Sequence, residues 1–400
     1  MICVAGVDVH KTFFEVAYRD SNGEIKVIRV DNNARGLGKL IKLFKAVGVT
    51  DVYFESTGDY YYALYYTLKG AGIKPHVLNA YKVRRPEANK TDERDAVWLL
   101  KIGESKLFDD SYIPDERIQI LRFLTRKKTK ITDRMADLKR EIGSILSRLG
   151  LNIKQLSGKL RARGRLKMLL NLISGKAKID DVEDEVVRAI YEALTSEASG
   201  YYMLVVGVYL KELELLEREV RELDKAILSL IDSIKDKIEI LMSVPGIGLD
   251  LAIKILAEIG EIDRFPSAKH LVSYAGLAPT AKNSGGRSRS GKPTKKSNKH
   301  LRRYMYLVAM GAVRSKNSVV RKWFDRLIGR GKHFKVAIIA VARRLLAIIW
   351  HLLMKGEKWF GEDFVKKLRK LPKIRKIKIS LEKALEILEK AGYIIKPPNS

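Results

Sequence analysis

Near residue 118 the apolar residues of this chain change their period, and one layer of structure cannot satisfy both halves. Downstream, Ile131, Met135, Leu138, Ile142, Ile145 and Leu149 step alternately by four and three. Leu213, Leu216, Val220, Leu223, Ile227 and Leu230 do the same. Each set spans nearly three heptads, the seam of a coiled coil or of an antiparallel helical hairpin. Such stripes are more often intramolecular core than dimer interface. Upstream, short apolar runs alternate with helical spacing and are broken by Gly, Asn and Asp. The chain must therefore combine a sheet-and-helix part with long helices, and its 400 residues allow two or three cores.

Residues 1–110 divide further. Strands are predicted at 2–8, 12–18 and 24–30, with Ser21-Asn22-Gly23 as a hairpin turn. Then come a helix at 37–47, a strand at 51–55, a helix at 60–68 ended by Gly70 and Gly72, and a strand at 73–78. A helix follows at 91–102 with Thr91 as N-cap. This order, β-β-β-α-β-α-β-α, predicts a mixed α/β sheet of the ribonuclease H type.

Residues 111–236 carry the helical stripes and an insert at 152–200, which is basic and Gly-punctuated to 178 and helical over 179–194. The insert reads as an added element or an elbow facing nucleic acid. Residues 237–355 form a mostly α unit. There Val244-Pro245-Gly246-Ile247-Gly248 and the apolar run 252–258 read as a helix-hairpin-helix or as an ordinary tight turn. In the first reading Gly246 and Gly248 present backbone N–H groups to a phosphate. The Lys-rich tail, 356–400, holds one short helix at 381–390, capped by Ser380 and ended by Gly392.

Composition enters through charge. Lys and Arg total 77 against 47 Asp and Glu, a net +30, which makes nucleic acid the expected partner. A generically basic protein is the competing reading. Cys3 is the sole cysteine, which excludes an internal disulfide and a cysteine-rich zinc site. The most apolar stretch, 336–354, is interrupted by Arg343, Arg344 and His351 and reads as a buried helix. With no leader pattern at the N-terminus, the expectation is a cytoplasmic, nucleoid-associated protein with no membrane partner. Glutamine occurs only at Gln119 and Gln155, a lean towards a thermophile.

Against this positive charge stand four acids in chosen places. Asp8 ends the first strand and Glu55 another, while Asp92 and Asp95 lie three apart on one helix face. If the two strands are neighbours, four carboxylates meet at one sheet end. That set could hold two ions about 4 Å apart for phosphodiester chemistry, and oxygen ligands favour Mg2+, with Mn2+ possible. Singly, Asp92 could be a first-turn helix acid and Glu55 a surface residue. His10 is expected at the surface or beside the ligands.

These residues resemble the DEDD transposases, the "IS one-ten" insertion-sequence recombinases that include Piv-type invertases. The resemblance rests on Gly6-Val7-Asp8-Val9-His10-Lys11, Glu55-Ser56-Thr57-Gly58, and Lys90-Thr91-Asp92 through Asp95-Ala96. It continues in Val244 to Gly248, Ala257-Glu258-Ile259-Gly260, Tyr274 to Pro279, Ser284-Gly285-Gly286 and Asn298 to Arg302. About 350 residues are covered in co-linear order. The resemblance implies a RuvC-like N-terminal domain with Asp8, Glu55, Asp92 and Asp95 as catalytic metal ligands. It also implies a C-terminal domain with Ser284 as nucleophile, a bridge-type guide RNA, and dimers or tetramers that share sites between protomers.

By itself the segment 281–292 is a polar loop that touches phosphates, with Ser288 and Ser290 as local competitors of Ser284. The residues expected to meet nucleic acid are Lys90, Arg94, Gly246, Gly248, Arg287, Arg289, Lys292, Asn298 and Arg302. Ser297 stands where the family has glycine, and the insert and tail lie outside the family pattern. The function expected is a site-specific transposase or recombinase. The alternatives are a structure-specific nuclease that uses the acids and water alone, and a non-catalytic nucleic-acid-binding protein.

Overall fold

The alternation of side chains along the first strand decides what lies on each side of the sheet. The computed structural model describes residues 3–56, 58–80, 83, 91–105, 110–149, 164–195, 200–278, 280–284, 287–291, 297–315 and 318–359, with 280–284 and 287–291 in backbone only. Lys90, Lys292 and the tail helix expected at 381–390 lie outside the described residues.

Strands β1 (Val4–Val9), β2 (Phe13–Arg19) and β3 (Ile25–Asp31) form an antiparallel meander. Its second turn is set by Asp20, whose Oδ1 accepts from the backbone N–H of Asn22 and Glu24, with Gly23 at φ 79°. Helix α1 (Ala34–Val47) starts three residues before the apolar spacing suggested, because Asn33 caps it through the Gly36 N–H. Gly48, at φ 78°, ends it. Strand β4 (Asp51–Glu55), helix α2 (Tyr61–Gly70), strand β5 (Lys74–Leu78) and helix α3 (Asp92–Ser105) follow. The sheet order is β3-β2-β1-β4-β5, with β4 and β5 parallel to β1.

One sheet face, with Val7, Phe14, Val16 and Phe54, packs with Leu40 and Phe44 of α1 and Leu64 and Leu68 of α2. The other face, with Val4, Ala17 and Tyr53, packs with Ala96, Leu99 and Leu100 of α3. A Cβ on Gly6 would overlap the backbone of Ala96, Leu99 and Leu100, so only glycine admits α3 this close to β1. Gly103 does the same for α3 against Tyr53 and Val4. Since Gly6 meets the middle of α3 and Val4 meets its end, the helix runs antiparallel to β1. Its first turn therefore lies at the Asp8 end of the strand.

The chain divides into two units, Met1–Asp115 and Glu116–Ser400. In the second, α4 (Glu116–Arg148) leads to α5 (Arg165–Ile173), α6 (Glu185–Thr195) and α7 (Gly200–Leu230). Lys128 pairs with Asp224, and Arg134 with Glu212. One helix ascends as the other descends, so α4 and α7 are antiparallel partners within the chain. Ile131, Leu138, Ile142 and Ile145 of the first stripe, and Leu213 and Ile227 of the second, are buried. The described part of the insert packs Leu169, Leu170, Val187 and Ile190 onto Leu138, Ile142 and Leu210.

Helices α8 (Lys235–Met242), α9 (Leu249–Ile259) and α10 (Ala268–Tyr274) precede a hairpin of β6 (Thr280–Ser284) and β7 (Arg287–Gly291). Helices α11 (Lys299–Ala312), α12 (Val319–Gly329) and α13 (Phe334–Lys355) follow. Among the described helices α13 alone is long and apolar enough to cross a membrane. Its Ile338, Val341, Leu345 and Ile349 instead share a core with Leu271, Met305 and Val308, as expected of a buried helix.

Candidate active site

Strand register brings the first acids together. Asp8 on β1 is paired with Glu15 on β2, and Glu15 with Arg29 on β3, so these three form a row on the face covered by α3. Val7 pairs with Phe54, which sets Glu55 beside Asp8 at the end of the neighbouring parallel strand. Helix α3 contributes Asp92 and Asp95 from a first turn that holds three acids, Asp92, Glu93 and Asp95, where the helix dipole favours negative charge. Thr91 caps that turn, its Oγ accepting from the Arg94 N–H at 3.4 Å.

Within this end of the sheet, Asp8, His10 and Asp92 offer ligand atoms that all lie within 4.8 Å of one another. His10 Nε2 is 2.9 Å from Asp8 Oδ2 and 3.4 Å from Asp92 Oδ1. Its ring stacks on Phe13 at 4.5 Å. Glu55 and Asp95 stand outside this tight group, yet Asp95 is close enough for its charge to act on Asp8. Burial pushes the Asp8 carboxyl above its ordinary pKa. The charge and hydrogen bond of His10 oppose that rise, and the nearby Asp95 and Asp92 charges add to it. A carboxylate held beside like charges in a half-buried site gains from a cation. The donor set fits a divalent ion: carboxylate oxygens suit magnesium or manganese, and an imidazole nitrogen is better tolerated by manganese.

Reading from the sequence alone missed Glu15 and Arg29. Glu15 is buried at 3% exposure and accepts from Arg29 Nε at 2.7 Å. The same guanidinium lies 3.5 Å from Asp92 and 4.0 Å above the Phe13 ring. The alternation along β2 and β3 was legible, but nothing short of strand register could align both residues with Asp8.

In the second unit the expected nucleic-acid contacts separate. Gly246, at φ 87°, turns the chain between α8 and α9, and a Cβ there would overlap the backbone of Val308 and Ala312 in α11. Close helix packing alone thus requires that glycine. Gly248 is the N-cap of α9 and is exposed. Asn298 caps α11 through the N–H groups of His300 and Leu301, and its amide donates to Glu258 and to the Tyr274 hydroxyl. Arg302 donates to Ser297 Oγ at 2.8 Å. Ser284 is the last residue of β6 and is paired in register with Arg287, while Arg289 pairs with Lys282. Arg94 is exposed beside the acids.

Another basic surface was not singled out from the sequence. Arg326, Arg330, Lys332 and Lys335 are exposed around the α12–α13 turn, and the chain has no acid from Arg326 to Lys355. Exposed Phe334 and Val336 lie among them. The signal available was the acid-free run itself.

Comparison with known proteins agrees with this layout. The family model of the IS110-type DEDD transposases, described as "Transposase", matches residues 5–150. A second, described as "Transposase IS116/IS110/IS902 family", matches residues 238–324. The chain is 30% identical to the "Insertion element IS110 uncharacterized 43.6 kDa protein" of Streptomyces coelicolor over 203 residues, 49% of each chain. It thus spans about half the length of the first relatives it matches. It is 26% identical to the "Transposase for insertion sequence element IS1111A" of Coxiella burnetii, over 89% of this chain and 91% of that one. With the "Pilin gene-inverting protein" of Moraxella bovis it shares 22% identity, over 88% and 95%. With one family model on the acid-bearing sheet and another on the helices around the hairpin, the chain belongs to the IS110/IS116/IS902 family of DEDD transposases.

Proposed function

We propose that this protein is a site-specific DNA recombinase of an insertion sequence, cutting and rejoining strands with metal-bound acids and a serine nucleophile. One observation carries the reading: Asp8 and Asp92 meet at one sheet end, with Asp95 in electrostatic reach and Glu55 on the adjoining strand. The strand order and the placement of these acids support a ribonuclease H-like, RuvC-like domain. We assign it residues 1–110, with a helical linker at 111–236, a serine-bearing domain at 237–355 and a basic tail at 356–400.

Asp8, Glu55, Asp92 and Asp95 would hold Mg2+ or Mn2+, which supplies charge neutralisation at the scissile phosphate. The serine step conserves bond energy. The Ser284 oxygen bonds to phosphorus and loses its proton to a base, while the bond from phosphorus to the departing sugar oxygen breaks and that oxygen takes up a proton. A new sugar hydroxyl then reverses the exchange, so no nucleotide cofactor is needed. Arg287 and Arg289 lie on the same hairpin, and Arg302 lies just beyond it, where cations favour the developing charge. The net charge of +30 and the basic α12–α13 turn support DNA and an element-encoded guide RNA as partners. Leu204, Val208 and Leu215, 66%, 54% and 49% exposed along α7, support a homo-oligomer.

The test is trapping. The protein is incubated with magnesium, a duplex carrying its element's ends, and the flanking transcript, then denatured and digested. A nucleotide bound to Ser284 is expected, and Ser284→Ala should form none. Full strand exchange by Ser284→Ala would leave a nuclease that uses the acids and water.

A further inference from the structure

Glu258 is fully buried and belongs to none of the acids above. Its carboxylate accepts two hydrogen bonds from Arg126 of α4, each 2.7 Å, and one from the Asn298 amide at 2.8 Å. Arg122, one turn earlier on α4, lies 3.8 Å from the same carboxylate and donates to the carbonyls of Ala257 and Glu258. Burial would raise the Glu258 pKa, but Arg126, Asn298 and Arg122 outweigh it and hold the carboxyl below its ordinary value. The group is therefore an ion at neutral pH.

Asn298 is also where the chain returns from the β6–β7 hairpin. Its backbone N–H donates to the Tyr274 carbonyl at 2.7 Å, so the excursion that carries Ser284 leaves and re-enters at one point. The Tyr274 hydroxyl accepts from the Asn298 amide at 3.0 Å and lies 3.4 Å from the Glu258 carbonyl. Gly276, at φ 68°, passes so close to Ser297 that any side chain there would collide with it. Both stems of the hairpin are thus tied to α9 at Glu258, the returning stem through the carboxylate that Arg126 of α4 also holds and the outgoing stem through the backbone carbonyl.

Buried ion pairs are weak devices for stability, since apolar residues of similar size often serve as well or better. What they provide is a fixed set of directions. We propose that Glu258 is a positioning residue: with Arg126 and Asn298 it fixes the base of the hairpin and so sets where Ser284 sits. This rests on the reading of Ser284 as nucleophile.

The experiment is single-turnover formation of the serine–DNA adduct by the full chain, with magnesium, the element-end duplex and its flanking transcript. Glu258→Gln and Asn298→Asp each break the donor–acceptor match. The acid at 298 can still cap α11 but cannot donate. Each is expected to slow adduct formation at saturating DNA by at least about tenfold, with the half-saturating DNA concentration unchanged. If the single variants do not fold, Arg126→Met with Glu258→Met supplies the measurement, because an apolar pair can keep the core without the clamp. A slow rate in that folded variant supports positioning, and a parental rate overturns it. Parental rates in the folded single variants also overturn it. An adduct that survives Ser284→Ala would overturn the nucleophile reading first, and this inference with it.

Discussion

The two units hold carboxylates in opposite ways. In the first, Asp8 and Asp92 share one histidine, Asp92 adds the Arg29 guanidinium at 3.5 Å, both acids stay partly exposed, and Asp8 has a raised pKa. In the second, Glu258 is sealed from water, receives three short hydrogen bonds, and has a lowered pKa. Acids left under-compensated by the protein suit a ligand cation, whereas an acid saturated by protein donors organises the chain. The contrast separates acids open to a cation from an acid that holds chain segments together.

The sharpest way to break this comparison is to neutralise one acid of the first cluster. Asp92→Asn should lower strand cleavage by about 10²–10³-fold while leaving the folded state intact, because it relieves repulsion with Asp8. Paired cleavage and thermal-unfolding assays check this, and a large loss of stability would instead class Asp92 with Glu258. A smaller effect is expected at the contact that delivers α3. Gly6→Ala should destabilise the first unit by about 1–3 kcal/mol, since a Cβ must displace helix backbone, and it should weaken manganese binding by titration. Unchanged metal affinity would mean that the closeness of α3 to β1 is not what brings Asp92 to Asp8.

The smallest effect is one of pH. The Glu258 pKa is lowered from its ordinary 4.5 on folding, so its stabilisation is complete above that value. It is lost only as pH falls through the still lower folded value. Acid unfolding of the parent should therefore show a limb below pH 4.5 that Glu258→Gln lacks. A limb retained in that variant would assign it to other carboxylates.

Much of this layout was legible in the residues. The strands of the first unit, the helix cap at Thr91, and the placement of Asp8 and Glu55 at strand ends follow from periods of two and from local capping chemistry. His10 was harder, because a histidine two residues past an acid has many fates. Only the approach of α3 gives its ring a second carboxylate. Gly246 shows the reverse case: its motif pointed to phosphate, yet the requirement for glycine comes from α11, 62 residues later at Val308. Asn298 is expected from the sequence to meet nucleic acid, and the structure commits its side-chain amide to Glu258 and Tyr274.

The sequence by itself determined the alternation of structure types, the sign of the charge and the chemical nature of the acids. Periodicity, capping and composition are local or additive properties. Tertiary structure decided which acids share an ion-sized space, that Glu15 and Arg29 stand in the same row as Asp8, and that Glu258 ties down both stems of the serine hairpin. These outcomes depend on strand register and on two glycine-permitted helix approaches, at Gly6 and Gly246. Such contacts join residues far apart in the chain, and their energy exists only once the elements have packed.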